Sequence, residues 1–198
     1  MHNKYKTATI GNETATIYYE EQPESPREWD NLGTMICFHS RYNLGDKHGF
    51  TKEELIEYIN RKDVIALPLY LYDHSGLRIY TANGLRSSHW DTSMVGYMVV
   101  DYDTIRQNYN RQRITTKLRL DVIKCLKGEI ETYDLYLRGE VFGFEINKHE
   151  ICPCCKQEIT DNIESVWGFY GTDFENNVIY EYMGEKWKDA EWIDPDDE

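Results

Sequence analysis

The chain lacks most of the features that mark the common function classes. No apolar run approaches the roughly 20 residues that a membrane span requires. The opening Met1-His-Asn-Lys-Tyr-Lys6 leads into a polar stretch without a signal-peptide hydrophobic region. Lys and Arg total 22 against 35 Asp and Glu, a formal net charge of -13 over 198 residues. That shortage of positive charge argues against a grip on phosphate backbone or on an anionic membrane, so neither direct nucleic-acid binding nor membrane association is expected. There is no P-loop, H-E-x-x-H, G-x-S-x-G or dinucleotide fingerprint. No internal repeat or low-complexity linker divides the chain. The five cysteines are an odd count, with Cys152, Cys154 and Cys155 inside four positions, which makes a poor disulfide framework. In a reducing compartment such a cluster more often holds metal. A cytosol is the expected setting.

What is present is enough to fold. Hydrophobic residues make up 40% and aromatics 14%, whereas disordered acidic chains are poor in aromatics. Thr, Ile and Tyr from residue 6 to 20, around Gly11-Asn12, predict a β-hairpin. Residues 21–33, with Pro23, Pro26 and Gly33, read as loop, and Thr34 to Ser40 as a short strand. Thr51-Lys-Glu-Glu54 has the form of a capping box and opens a helix to about residue 60. Val64 to Tyr72 is a buried strand in which Pro68 suggests an edge or a bulge. Leu77 to Thr81 and Met94 to Asp101 are further strands. Ile114, Leu118, Val122, Leu126, Ile130, Tyr133 and Leu137 recur at helical spacing within 103–138, with Gly128 as a point where the helix could split and Gly139 as its cap. Glu140 to Glu150 and Ile163 to Tyr170 read as strands joined through the cysteines. The sum is an α+β fold: a mostly antiparallel sheet, a long packed helix and a zinc-knuckle-like hairpin in a single domain over 1–172, then an acidic C-terminal extension over 173–198.

Three constellations carry candidate chemistry. In His149-Glu-Ile-Cys152-Pro-Cys154-Cys155 the C-x2-C spacing aims two thiolates at one tetrahedral zinc, and Pro153 helps to fix the turn. Cys154 and His149 are the nearest completions of the four-donor set, and Cys37 and His39 could arrive from elsewhere. The simple alternative is an exposed, cysteine-rich turn. His39, Asp46, His48, Asp73, His74, His89 and Asp91 form a scattered second set, from which a metal-dependent hydrolase built on His39, Asp46 and His74 is a rival reading. Isolated His and Asp in loops usually satisfy turns instead. Cys37 and Cys125 lie in apolar surroundings and read as inert core thiols. Third, residues 173–198 hold ten acids and two lysines, so -8 of the -13 sits there. Asp189, Glu191, Trp192, Asp194, Asp196 and Asp197 are the candidate partner-binding residues, an acidic aromatic surface fit to occupy a basic groove. The simple alternative is a solvated tail. The basic residues Arg106, Arg111, Arg113, Lys117 and Arg119 read as a solvated helix face.

Four blocks then stand out: Ser25-Pro-Arg-Glu-Trp-Asp-Asn-Leu-Gly-Thr34, Phe38-His-Ser-Arg-Tyr-Asn-Leu-Gly-Asp46, Leu69-Tyr-Leu-Tyr-Asp-His-Ser-Gly76 and Val166-Trp-Gly-Phe-Tyr-Gly171. In this order they resemble a widespread family of small phage and mobile-element proteins, mostly of unassigned function, over roughly residues 15 to 172. The cysteine turn resembles only some members. Members often have Cys-Trp-Gly-Phe where this chain has Val166-Trp-Gly-Phe, which weakens any role for residue 166 as a ligand. Some phage proteins of this kind are anti-CRISPR proteins acting on the type II RNA-guided nuclease, and the chain is similar to a zinc-binding type II-A example. The resemblance implies an accessory protein at work in the cytoplasm of an infected bacterial host, and it carries over no catalytic residue. The expectation is a non-enzymatic inhibitor that binds the type II CRISPR effector nuclease and prevents target DNA from loading, with structural zinc. The alternatives are a DNA-mimic inhibitor of restriction enzymes, the hydrolase, and an accessory protein that binds an unrelated host regulator.

Overall fold

The computed structural model describes residues 3–74, 76–81 and 92–195. It is α+β with antiparallel pairing, but the strands form two four-stranded sheets rather than the one expected. The chain divides into two compact units, Met1–Glu24 with Gly139–Glu198, and Ser25–Arg138.

In the first unit the sheet order is β1-β2-β7-β8, with β1 Lys4–Ile10, β2 Glu13–Tyr19, β7 Val141–Ile151 and β8 Glu158–Tyr170. The β1–β2 turn is Gly11-Asn12, where Gly11 takes φ 63°, a conformation that costs a residue without Cβ little. Alternation on β7 sends Phe142, Phe144 and Ile146 into the core beside Ala15, Ile17 and Phe169. Residues expected to trail as an acidic extension close over this core instead. Phe174, Ile179, Met183 and Trp187 are all buried in it, through α4 Ile179–Met183. Ile193 then bridges to Thr7, with N–H···O distances of 3.0 and 2.8 Å.

In the second unit the order is β3-β6-β4-β5, with β3 Thr34–Cys37, β4 Val64–Asp73, β5 Leu77–Thr81 and β6 Thr92–Asp101. β4 is an inner strand, yet Pro68 is tolerated because the described pairing with β5 starts only at Leu69. α1 Lys52–Ile59 opens with the capping box of Thr51 and Glu54 complete. The expected helical stretch is two helices. α2 Tyr102–Tyr109 stops at Asn110, whose φ of 50° is left-handed, and α3 Thr116–Leu137 restarts from the Thr115 cap and runs through Gly128 unbroken. Val122, Leu126, Ile130 and Tyr133 of α3 face the core. Gly139, at φ 70°, follows its end.

A buried charged node ties the loops of this unit to α3. The Arg27 side chain is 4% exposed. It donates to both oxygens of Asp46 at 2.9 and 2.7 Å, to Glu129 at 3.2 Å and to the Gly33 carbonyl at 2.6 Å. Asp46 also accepts from the Met35 amide at 2.7 Å, and Glu129 from the Leu32 amide at 2.8 Å. Arg27→Ala would strand two carboxylates in this setting. It is expected to cost about 3–5 kcal/mol, measured by urea unfolding. By contrast, a Cβ on Gly128 meets nothing within 4 Å in mid-helix. Gly128→Ala is therefore expected to raise stability by about 1 kcal/mol in the same assay.

Candidate functional site

β7 and β8 outrun their sheet. β2 ends against Lys148, and the Gly11–Asn12 turn reaches only to His149, whose amide donates to the Asn12 carbonyl at 2.8 Å. Glu150↔Ile159 and Ile151↔Glu158 continue as a two-stranded ribbon. Its residues are exposed, Ile151 to 63%. A bulge between Ile146 and Asn147 lies at its root. Bulges increase local twist, which helps carry a ribbon away from its sheet.

The ribbon ends in the cysteine turn. The Cys152 amide donates to the Gln157 carbonyl at 2.8 Å, and the Lys156 amide to the Cys152 carbonyl at 2.9 Å. Lys156 takes φ 61° to close it. The thiol sulfurs of Cys152, Cys154 and Cys155 lie within 4.8 Å of one another and could hold a metal ion. Cys152 and Cys154 are 3.0 Å apart, Sγ to Sγ. The Cys152 thiol is brought down to about 6, first by the hydrogen bond from Cys154 and then by the amides of Cys155 and Cys154. Such a thiol is largely thiolate at neutral pH, the form that metals and electrophiles meet. Soft sulfur donors grouped in this way suit zinc or another thiophilic ion.

His149 is not brought into this group. Its Nδ1 is 3.1 Å from Thr160 Oγ1 and 3.2 Å from Glu158, across the ribbon. It stands three positions before Cys152, roughly 10 Å at the rise of a strand. Among the described residues the cluster also draws on neither Cys37 nor His39. Cys37 is buried, and burial, then the Asp46 charge, push its thiol up to about 12. Cys125, expected in a core, is exposed instead and bonds to Glu129 at 3.8 Å.

The described members of the second set make contacts within the fold. Asp46 belongs to the Arg27 node. His39 Nδ1 accepts the amides of Arg41 and Tyr42 at 3.3 and 3.2 Å, and its ring stacks on Tyr42. His48 meets the Cys37 carbonyl at 3.0 Å, Asp73 accepts from Arg41 and Tyr42, and His74 lies edge-on to Tyr72. Among the described residues these groups form no metal-binding cluster. His89 and Asp91 lie outside the described residues.

The acids of the C-terminal segment are exposed: Asp173, Glu175, Glu181, Glu185, Asp189, Glu191 and Asp194. They are set on a folded base, since Trp187 is 0% exposed. Trp187 therefore belongs to the core. Trp192 is half-buried and donates its indole N–H to the Trp187 carbonyl at 3.1 Å. Lys186 pairs with Glu13, and Lys6 approaches Asp194 at 3.7 Å. Asp196 and Asp197 lie outside the described residues. Sequence reasoning missed the anchoring of this segment. Its signal was Phe174, Ile179, Met183 and Trp187, at four- and five-residue steps among the acids.

No helix among the described residues is long and apolar enough to cross a membrane. Compared with family models, curated proteins and solved structures, the chain matches none.

The thiol environments differ enough to be told apart chemically. At pH 7, above the Cys152 value of about 6 and far below the Cys37 value of about 12, Cys152 is ionised and Cys37 is not. Brief iodoacetamide treatment of metal-free protein, read by peptide mass spectrometry, is expected to label Cys152 first and to spare Cys37 until the chain unfolds.

Proposed function

We propose that the protein acts by binding rather than catalysis, as an inhibitor of a nuclease that holds nucleic acid in a basic channel. The target we favour is the type II RNA-guided nuclease of a bacterial host, met in the cytoplasm of the infected cell, and the effect is to stop target DNA from loading. RNA-guided nucleases hold their heteroduplex in positively charged channels, which an acidic protein can occupy. The observation that carries this reading is the segment of exposed acids anchored by Phe174, Ile179, Met183 and Trp187. Charges fixed on a packed base lose less freedom on docking than charges on a loose chain, so more of their attraction survives as affinity. Reading the four sequence blocks as those of a phage accessory protein is consistent with the same target class. The engagement of Asp46 and His39 in structural bonds leaves the hydrolase reading without a free carboxylate in its set.

In this reading the cysteine turn holds one structural zinc ion through Cys152, Cys154 and Cys155. Zinc orders the end of a ribbon that has little core of its own.

The test is kinetic. Asp189→Asn, Glu191→Gln and Asp194→Asn are combined in one protein, all at exposed positions. Association with the nuclease is expected to slow by about tenfold at low salt while dissociation changes little, because peripheral charges act mainly on encounter. Raising salt should bring the parent toward the neutralised protein. Equal association rates at every salt concentration would sink charge competition. Co-elution with a restriction enzyme but not with the RNA-guided nuclease would move the target to the DNA-mimic alternative.

A further inference from the structure

The cysteine turn offers three donors, and zinc commonly takes four. The three sulfurs lie together, while the ring of His149 is turned to Thr160 and Glu158. Gln157 Oε1 lies 3.7 Å from Cys155 Sγ, but it is a neutral amide that thiophilic metals bind poorly. Closed structural sites fill all four positions from their own chain, whereas among the described residues only these three donors come together.

Resting on the zinc reading above, we infer that the metal at Cys152, Cys154 and Cys155 keeps one coordination position for an imidazole from another molecule, so that the ribbon docks through a histidine of its partner. Three features lead to this. The site is at the end of an exposed ribbon, with Cys154 and Cys155 both exposed, so a donor can approach from outside. Residues 153–165 around it are all exposed, whereas a catalytic metal needs a cavity that encloses substrate and excludes water. Finally, charge selects the donor. A divalent ion with three thiolates carries one net negative charge; of the acids at the end of the ribbon, Glu150 is paired with Lys148 at 2.5 Å and Glu158 faces His149 at 3.2 Å, so the site's own sulfurs set its sign. A fourth thiolate or a carboxylate adds to that negative charge. A neutral imidazole does not.

The step is ligand exchange, with no change of oxidation state. A metal–imidazole nitrogen bond forms, a metal–water bond breaks, and the water leaves to solvent.

The experiment uses the full chain loaded with cobalt(II), whose visible and thiolate charge-transfer absorption reports donor type and number. The expected result is one metal per chain, with the absorption of three thiolates. Imidazole should shift the visible bands saturably and leave the thiolate absorption in place. Imidazole should bind about fivefold more tightly than mercaptoethanol, the factor set by one added unit of charge repulsion in water. His149→Gln should leave both the starting spectrum and the imidazole response unchanged. A peptide containing a single histidine should reproduce the shift, and its alanine counterpart should not.

Several outcomes overturn the inference. A spectrum indifferent to imidazole means a closed site. A changed spectrum in His149→Gln makes His149 the fourth donor. Half a metal per chain with a dimer on a sizing column means that two copies share a closed thiolate site. Tighter binding of mercaptoethanol refutes the choice of imidazole. Absence of any cobalt–thiolate absorption, with the chain folded by circular dichroism, overturns the metal reading itself and is distinct from all of these.

Discussion

The first unit depends on β7 being longer than the strand beside it. Through Phe142, Phe144 and Ile146 its first half is held in the core, and it pairs with β2 on one side and β8 on the other. From Glu150 onward it keeps only β8. One strand thus passes from a four-stranded sheet to a bare ribbon, with a bulge between Ile146 and Asn147 at the transition. Side chains at the root cannot move without disturbing the core, so the ribbon starts from a fixed direction. Toward its end this control fades, because two strands in water are marginally stable alone. The cysteine turn lies where order from the core is weakest and where a cross-link contributes most.

Gly143 shows how tightly the root is made. A Cβ there would meet the Trp167 ring at 2.1 Å. Trp167 lies across the glycine from the opposing strand, and its indole N–H donates to Ser165 at 3.1 Å. The aromatic ring covers backbone that no side chain of β7 protects. Nearby, Glu20 accepts from the Gly168 amide at 3.1 Å, and Tyr170 donates to the Glu24 carbonyl at 2.6 Å. The block Val166-Trp-Gly-Phe-Tyr-Gly171, which stood out in the sequence, is thus accounted for by packing and backbone bonds. It needs no catalytic role.

What could be read from sequence was local. The Gly11-Asn12 hairpin, the Thr51 capping box and the C-x2-C turn each specify a few neighbouring bonds, and each formed as its residues dictate. Division into two sheets was not legible, because alternation along a strand says which face is buried and not which strand lies beside it. Glu13 meets Lys148 and Tyr19 meets Phe142, pairings that no local pattern announces. The Arg27 node was hidden for the same reason. Its carboxylates come from positions 46 and 129, and as letters they read like any surface acids. Asp46 consequently entered a candidate set, although its carboxylate is held by Arg27 and the Met35 amide. His149 was drawn into the metal set by closeness in sequence, although an extended strand puts three residues far apart. The acidic segment misled through composition: its charge was visible, and the four apolar anchors that fold it were diluted by acids on every side.

On the proposed reading the acidic face and the metal act over different distances. Between exposed charges attraction reaches about 8 Å at physiological salt and falls away beyond. It is insensitive to exact orientation, so it serves to bring an acidic protein to a basic channel and gives little discrimination among such channels. A metal–nitrogen bond of about 2 Å forms only when donor and ion meet at one place and in one direction. It adds nothing to the approach and much to the choice of partner. A face fixed by a hydrophobic core can be broad and need not be shaped to its target, whereas the contact end must be narrow and exposed. The sequence meets these two demands in different ways. Acids are spread over a packed segment, and three cysteines are concentrated in four positions at the end of a ribbon. Long-range attraction without the second element would leave a protein drawn to every basic nucleic-acid groove in the cell. Coordination alone would leave a ribbon that finds its partner only by undirected diffusion. Joined in one chain, they make speed of encounter and selectivity separable properties, each set by its own residues.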